Sequence, residues 1–262
     1  NSFEELLASD IDTVYIATQN DSHFTYSQKA LLANKNVLCE KPACVNYTQL
    51  SEILDLANKK GLKFMEAMRF LHIPAYVELK KRLKSKAYGN IISIEGSLGK
   101  ISQRTYRHTK DLCGGATMDL SIYPATAVID LLGYPDHIAS GCIKNDAEVD
   151  SSMSAIFSYN SGIIGNVHAS FTTLTRGELR ICTDQCTLTL PKQFTTTNEI
   201  IIEQPDGKLE RIPCELSGTG MAFELEYFCK SANNALNHEL SLNVVKALDA
   251  VRKQQGIVFA AD

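Results

Sequence analysis

The residues with the plainest chemical potential are Asp119 and Tyr123, four positions apart in "CGGATMDLSIYPATAVIDLLG". On a helix that spacing puts both side chains on one face. A phenol can take or give a proton at a reacting group, but its ordinary pKa near 10 is high for a base at neutral pH. A neighbouring ammonium favours the phenolate. Lys41 is the candidate, in "NVLCEKPACVN", where the apolar run Val37-Leu38-Cys39 ends abruptly in Glu40, Lys41 and Pro42. Lysine is costly at the end of a buried strand unless it has a task or a path to solvent. Spacing alone leaves two readings open: a proton-transfer site, or a solvent-reaching lysine and an ordinary helix pair.

The elements that must position these residues follow from periodicity. Ser2 and Glu5 have the spacing of a capping box for a short first helix. Thr13–Ala17 reads as a strand buried on both faces, 24–34 as a helix, and 36–39 as the next strand. Tyr47–Lys60 is expected to be helical and closed by Gly61, with a strand at 63–67. Strand and helix alternating at these lengths predict a parallel sheet covered by helices.

After Pro74 the pattern changes. A basic amphipathic helix to about Tyr88 precedes a strand at 91–98 and a helix over 116–132. Strands are then expected at 138–143, 152–159, 162–171, 178–183, 187–190, 199–203 and 208–212, and helices at 223–237 and 242–255. The fold class is therefore α/β plus α+β: a partial doubly wound parallel sheet, then a larger, mainly antiparallel sheet with helices on one face. The expected domains are 1–72, the C-terminal half of a dinucleotide-binding unit, and 73–262, a substrate-binding and oligomerisation unit. No G-x-G-x-x-G lies between a strand and a helix, and the chain opens on a helix. The first strands of the parallel sheet and their glycine-rich turn are thus expected in an N-terminal extension that this sequence does not include.

Composition narrows the function classes. Of 262 residues, 44% are hydrophobic and 21% charged, an ordinary globular balance. A net charge of −4 with dispersed basic residues argues against nucleic acid as a partner. No apolar run approaches the roughly 18–20 residues that span a bilayer, and no secretion signal opens the chain. Eight cysteines scattered through apolar segments read as reduced thiols of a cytoplasmic protein, with Cys182 and Cys186 close across a turn. Their spacing does not suit a metal site.

The segments "DIDTVYIATQNDSHFTYSQKALLANKNVLCEKPACVN", "EAMRFLHIPAYVELKKRL" and "CGGATMDLSIYPATAVIDLLG" together resemble the glucose–fructose oxidoreductase / inositol dehydrogenase / MocA (Gfo/Idh/MocA) family. The pattern D-x-x-x-Y resembles its dimeric dihydrodiol dehydrogenase-like subset, and the closing "GIVFAAD" is similar to the family's natural C-terminus. The resemblance implies an NADP- or NAD-dependent dehydrogenase acting on a secondary alcohol of a sugar, polyol or diol. It implies Tyr123 as acid/base, assisted by Lys41 and Asp119. It implies Ala17, Thr18, Asn20, His23, Glu40, Lys41, Pro42 and Arg69 at the cofactor. Tyr106, Arg107 and His108, in the loop before Cys113-Gly114-Gly115, leave two readings open: substrate contacts, or an ordinary solvated loop. A homo-oligomer is expected through the antiparallel sheet, around strands 152–171, with an apolar exposed face. The alternative is a non-catalytic NAD(P)- or sugar-sensing protein on the same scaffold. Three departures bear on substrate identity: Gln19 where the family has proline, and Cys113 and Ser121 where it has glycine.

Overall fold

The computed structural model describes the chain apart from residues 1, 103–104 and 233–236, and apart from the side chains of 105 and 106. It opens with α1 (Phe3–Ala8), and the expected capping box is formed: the Ser2 hydroxyl accepts from Glu5 N while Glu5 accepts from Ser2 N. A three-stranded parallel sheet follows, β1 (Thr13–Ile16), β2 (Asn36–Glu40) and β3 (Phe64–Ala67), in the order β1-β2-β3. It is crossed by α2 (His23–Leu32) and α3 (Tyr47–Lys60). The Asn46 side chain caps α3 by accepting from Gln49 N, and Gly61 ends it in the left-handed conformation. Val37, Leu38 and Cys39 of β2 are fully buried, as a central parallel strand requires.

The second sheet is mixed and has eight strands. After α4 (Pro74–Lys84) come β4 (Ile91–Gly99), α5 (Ile122–Leu132), β5 (His137–Lys144), β6 (Asp150–Ser158), β7 (Ile164–Ser170), β8 (Leu179–Thr183), β9 (Thr187–Leu190), β10 (Glu199–Glu203) and β11 (Leu209–Pro213). Their order is β11-β10-β9-β8-β4-β7-β6-β5, and only β4 and β7 pair in parallel. The expected small parallel sheet and larger, mainly antiparallel sheet are therefore both present.

Two helices close the chain, α6 (Met221–Lys230) and α7 (His238–Gln255). α6 ends earlier than the periodicity suggested, and α7 begins earlier. Part of the interval between them lies outside the described residues. α7 joins the two halves of the core: Val245 packs with the buried residues around β1–β3, while Val244, Leu248 and Val251 pack with those of the large sheet.

One face of the large sheet carries α5 and α7. The other face is mixed, with Ile143, Ile156 and Ile164 exposed on it. Ile156 is flanked there by Ser154, Asn166 and His168, and Arg180 pairs with Glu95 at 3.9 Å. Side-chain alternation puts these polar positions on the surface opposite the helices. Among the described residues no helix is long and apolar enough to cross a membrane, and all eight cysteines are free.

α5 lies directly on β4. A Cβ at Gly96 would sit 2.6 Å from Pro124 Cβ, so glycine is what allows this close approach. Gly96→Val should lower stability by about 1–3 kcal/mol through overpacking, read as a lower denaturant midpoint with an unchanged slope.

Candidate functional site

A cleft of about 390 Å³ opens where the carboxyl ends of β1 and β2 face the segment leading into α5. Its lining includes Ala17, Thr18, Asn20, His23, Glu40, Lys41, Asp119 and Tyr123. Eight of the ten residues singled out from the sequence thus converge on one cavity.

Lys41 extends from the end of β2, and its ammonium donates to Asp119 Oδ1 at 2.9 Å and to the Asp119 carbonyl at 2.7 Å. It also lies 4.8 Å from the centre of the Tyr123 ring, a cation–π contact. The other carboxylate oxygen of Asp119 pairs with Arg107. Burial disfavours the Lys41 ammonium, but Asp119 first and Tyr123 next outweigh it and hold its pKa at about 12. Burial likewise works against the Asp119 carboxylate, and Lys41 and Arg107 overcome it, holding the group well below the usual carboxylate range. The cluster is therefore charged across neutral pH. The sign is fixed: Asp119 contributes stability above the ordinary carboxylate pKa and loses it only as pH falls towards its depressed value.

Asp119 sits in a π-helical turn, Thr117–Ser121, that runs into α5. Such turns are rare and often mark functional sites. Asp150, at the start of β6, anchors this one: its Oδ2 accepts from Thr117 N at 2.6 Å and from the Thr117 hydroxyl at 2.8 Å. A Cβ at Gly115, whose φ is +111°, would lie 2.3 Å from Asp150 Oδ1. Glycine is therefore required before the turn. Ser121, one of the departures from the family pattern, donates its hydroxyl to Thr117 O at 2.7 Å. Cys113, another, takes the left-handed conformation with φ of 53°.

The opposite wall is fixed by the loops after β1 and β2. The His23 ring faces Pro42 O at 2.8 Å and Thr18 O at 3.2 Å, joining the two loops. Asn20 donates to Cys113 O at 3.1 Å and so ties the β1 loop to the segment before the π turn. Glu40 accepts from the Tyr15 hydroxyl. Beneath, Glu66 on β3 accepts from Ala43 N at 2.9 Å and from the Ser241 hydroxyl of α7 at 2.8 Å.

Pro42 and Arg69 do not line the cleft. Pro42 is buried behind it, its carbonyl turned to His23. Arg69 lies in a short 3₁₀ turn beside α6, where its charge acts on Glu224. Of the loop residues, Arg107 reaches the cleft while His108 turns away to pack on Phe171 at 4.6 Å. The Tyr106 side chain lies outside the described residues. Lys100, Leu112, Gly114 and Leu120 also line the cavity. Sequence reasoning missed them because they fall in loops or inside the π turn, where no periodicity marks a face. Asp150 was missed too, although the acid just ahead of a strand in "EVDSSMSAIF" was a signal.

Comparisons with known proteins agree with this layout. A family model described as the oxidoreductase family with an NAD-binding Rossmann fold matches residues 1–68, and one for the GFO/IDH/MocA C-terminal domain matches 76–189. The chain is 28% identical to scyllo-inositol 2-dehydrogenase (NADP(+)) IolU of Bacillus subtilis, across 100% of this chain and 84% of that one. It is 26% identical to trans-1,2-dihydrobenzene-1,2-diol dehydrogenase of Xenopus tropicalis, over 98% and 83%. In fold it is similar to KijD10, a 3-ketoreductase from Actinomadura kijaniata solved with NADP and TDP-benzene. The TM-score there is 0.86 at 24% identity, over 96% of this chain and 81% of that one.

A separate acid beside the cleft gives a pH prediction. Glu224 of α6 is 2% exposed, and its Oε2 has no hydrogen-bond partner among the described residues. Burial, then repulsion from Glu40, push its pKa up to about 8 against the relief given by Arg69, and Glu66 adds to the rise. The folded state thus keeps a proton that the unfolded chain releases near 4.5. Stability should fall as pH rises between those values and level off above about 8. Glu224→Gln should flatten this slope and raise the melting temperature at pH 8 more than at pH 5, checked by thermal melts across the range.

Proposed function

This chain belongs to the Gfo/Idh/MocA family and is an NAD(P)-dependent oxidoreductase, and from that premise we propose that Tyr123 is its proton-transfer residue, with Lys41 and Asp119 as assistants. The substrate in this reading is a secondary alcohol of a sugar, polyol or diol, the class to which the names of the two curated relatives belong. Residues 1–72 form the cofactor side and residues 73–262 the substrate side.

The observation that carries the proposal is convergence. Lys41 from a strand end meets Asp119 and Tyr123 from a distant helix entry in a single cleft. The carboxyl ends of parallel strands are where open α/β sheets place their ligands. The residues there suit a dinucleotide: Ala17, Thr18 and Asn20 offer backbone and small polar groups, and Glu40 stands beside Lys41. A bound nicotinamide supplies the hydride acceptor or donor. Tyr123 takes the proton of the substrate hydroxyl as the carbinol is oxidised and returns it in reduction. Lys41 supplies a fixed positive charge at the oxygen where negative charge develops. Asp119 holds that ammonium in place and offsets part of its charge.

Retention of Lys41, Asp119 and Tyr123 in one cavity favours an enzyme over a sensor, since sensing needs no proton-transfer pair. Association of copies through the open face of the large sheet is part of the same reading, and a monomer in sedimentation would remove it.

Tyr123→Phe should lower kcat about 10²- to 10⁴-fold with little change in KM or melting temperature. Lys41→Met should cost a similar factor and also lower the melting temperature, because Asp119 loses a buried partner. Adding Asp119→Asn to Lys41→Met should recover stability without recovering turnover. Near-normal rates in both single variants would contradict the assignment.

A further inference from the structure

Among the described residues, cations outnumber carboxylates in the lining of the cleft. Its lining carries three cations, Lys41, Lys100 and Arg107, and two carboxylates, Glu40 and Asp119. Asp119 is spoken for on both oxygens, by Lys41 and Arg107, and Glu40 accepts from Tyr15. The whole chain has a net charge of −4, so this local excess is not the by-product of a basic protein. A concave site with low-dielectric walls concentrates such a potential on an incoming anion.

The cations are also unevenly placed. Lys41 belongs to the strand-end wall. Lys100 follows β4 directly, its backbone N–H bonded to Ser170 O at 3.0 Å, and Arg107 follows in the next loop. Both belong to the part of the chain that builds the large sheet, and both line the same cavity. Lys100 is exposed at the rim and acts electrostatically on Asp119. A guanidinium and an ammonium together match the oxygens of a carboxylate or phosphate by charge and by donor geometry.

We propose that the substrate carries an acidic group, a carboxylate or a phosphate ester, and that Lys100 and Arg107 at the large-sheet wall receive it while the carbinol lies at Tyr123. This rests on the dehydrogenase reading above and narrows it, from neutral polyols to sugar acids or sugar phosphates. The acidic group takes no part in the chemistry; it orients the carbinol and determines which alcohols enter. Lys100 and Arg107 are thus specificity residues, whereas Lys41 is an electrostatic assistant to the reaction.

The test uses matched pairs on the full natural protein loaded with NADP: glucose with glucuronate and glucose 6-phosphate, and galactose with galacturonate. Binding is measured by calorimetry and turnover by nicotinamide absorbance, for the wild type and for Lys100→Gln. The charged member of a pair should bind about 10- to 100-fold tighter, the effect of one charge-assisted contact. That preference should shrink with added salt. Lys100→Gln should erase most of it through KM rather than kcat, and leave the affinity for NADP unchanged. Equal binding of charged and neutral members overturns the inference, and so does a Lys100→Gln defect that falls on NADP, which would assign the lysine to a cofactor phosphate. A charge preference without turnover would uphold this inference and remove the dehydrogenase reading. Turnover without a preference would do the reverse.

Discussion

The structure depends on one constraint: an ammonium drawn to the end of a buried parallel strand must be compensated there. Lys41 is compensated by Asp119, 78 positions further along the chain. Taking two charges out of water is expensive, and the pair is tolerable only where several polar contacts complete it. Here the Asp119 backbone carbonyl, the Arg107 guanidinium and the face of Tyr123 do so. The same contacts that make Lys41 affordable also place it against the phenol. Pairing and function are thus served by one geometry, and the small and large sheets are joined at that point.

Much of the surrounding structure can be understood as holding the two ends of this contact. On the Lys41 side, the loop after β2 is held by Glu66 and α7, while Arg252 donates to Val45 O and pairs with Asp249 and Asp262. Asn46 both caps α3 and donates to Ala261 O. The end of the chain therefore braces the loop that presents the lysine. On the Asp119 side, Asp150 and Gly115 shape the π turn, and Ser121 takes up a carbonyl within it. Asn20 crosses between the two sides. A site assembled from sheet ends and a buried turn loses little entropy on binding, since its side chains are already ordered.

The sequence revealed the elements whose own residues define them. The helix Tyr47–Lys60 was legible because Gly61 is a strong stop signal, and Thr187–Leu190 and Glu199–Glu203 because alternation in short strands is hard to mistake. Lys41, Asp119 and Tyr123 were candidates by residue type and spacing, and the family resemblance singled them out. What stayed hidden depends on tertiary placement. A π turn inserts an extra residue that an α-helical period does not show, so the continuous helix expected over 116–132 begins only at Ile122. The helix expected at 223–237 carried no sign that Glu224 is buried, yet α6 holds it buried within reach of the Arg69 charge. Arg69, expected at the cofactor, does not line the cleft, and its charge acts on that acid. Lys100 and Arg107 carry no local mark of their place at the cleft, because only the folding of loops around it brings them there.

The central claim is that this cleft moves a hydride between a carbinol and a nicotinamide while Tyr123 moves the proton. The most direct measurement supplies an alcohol substrate deuterated at the carbinol carbon and follows the label by NMR. The account predicts that deuterium appears at C4 of the reduced nicotinamide without exchange with solvent, and that Tyr123→Phe greatly slows its arrival. Bound cofactor that never acquires the label from any sugar, polyol or diol would contradict it and leave a binding protein on an oxidoreductase scaffold.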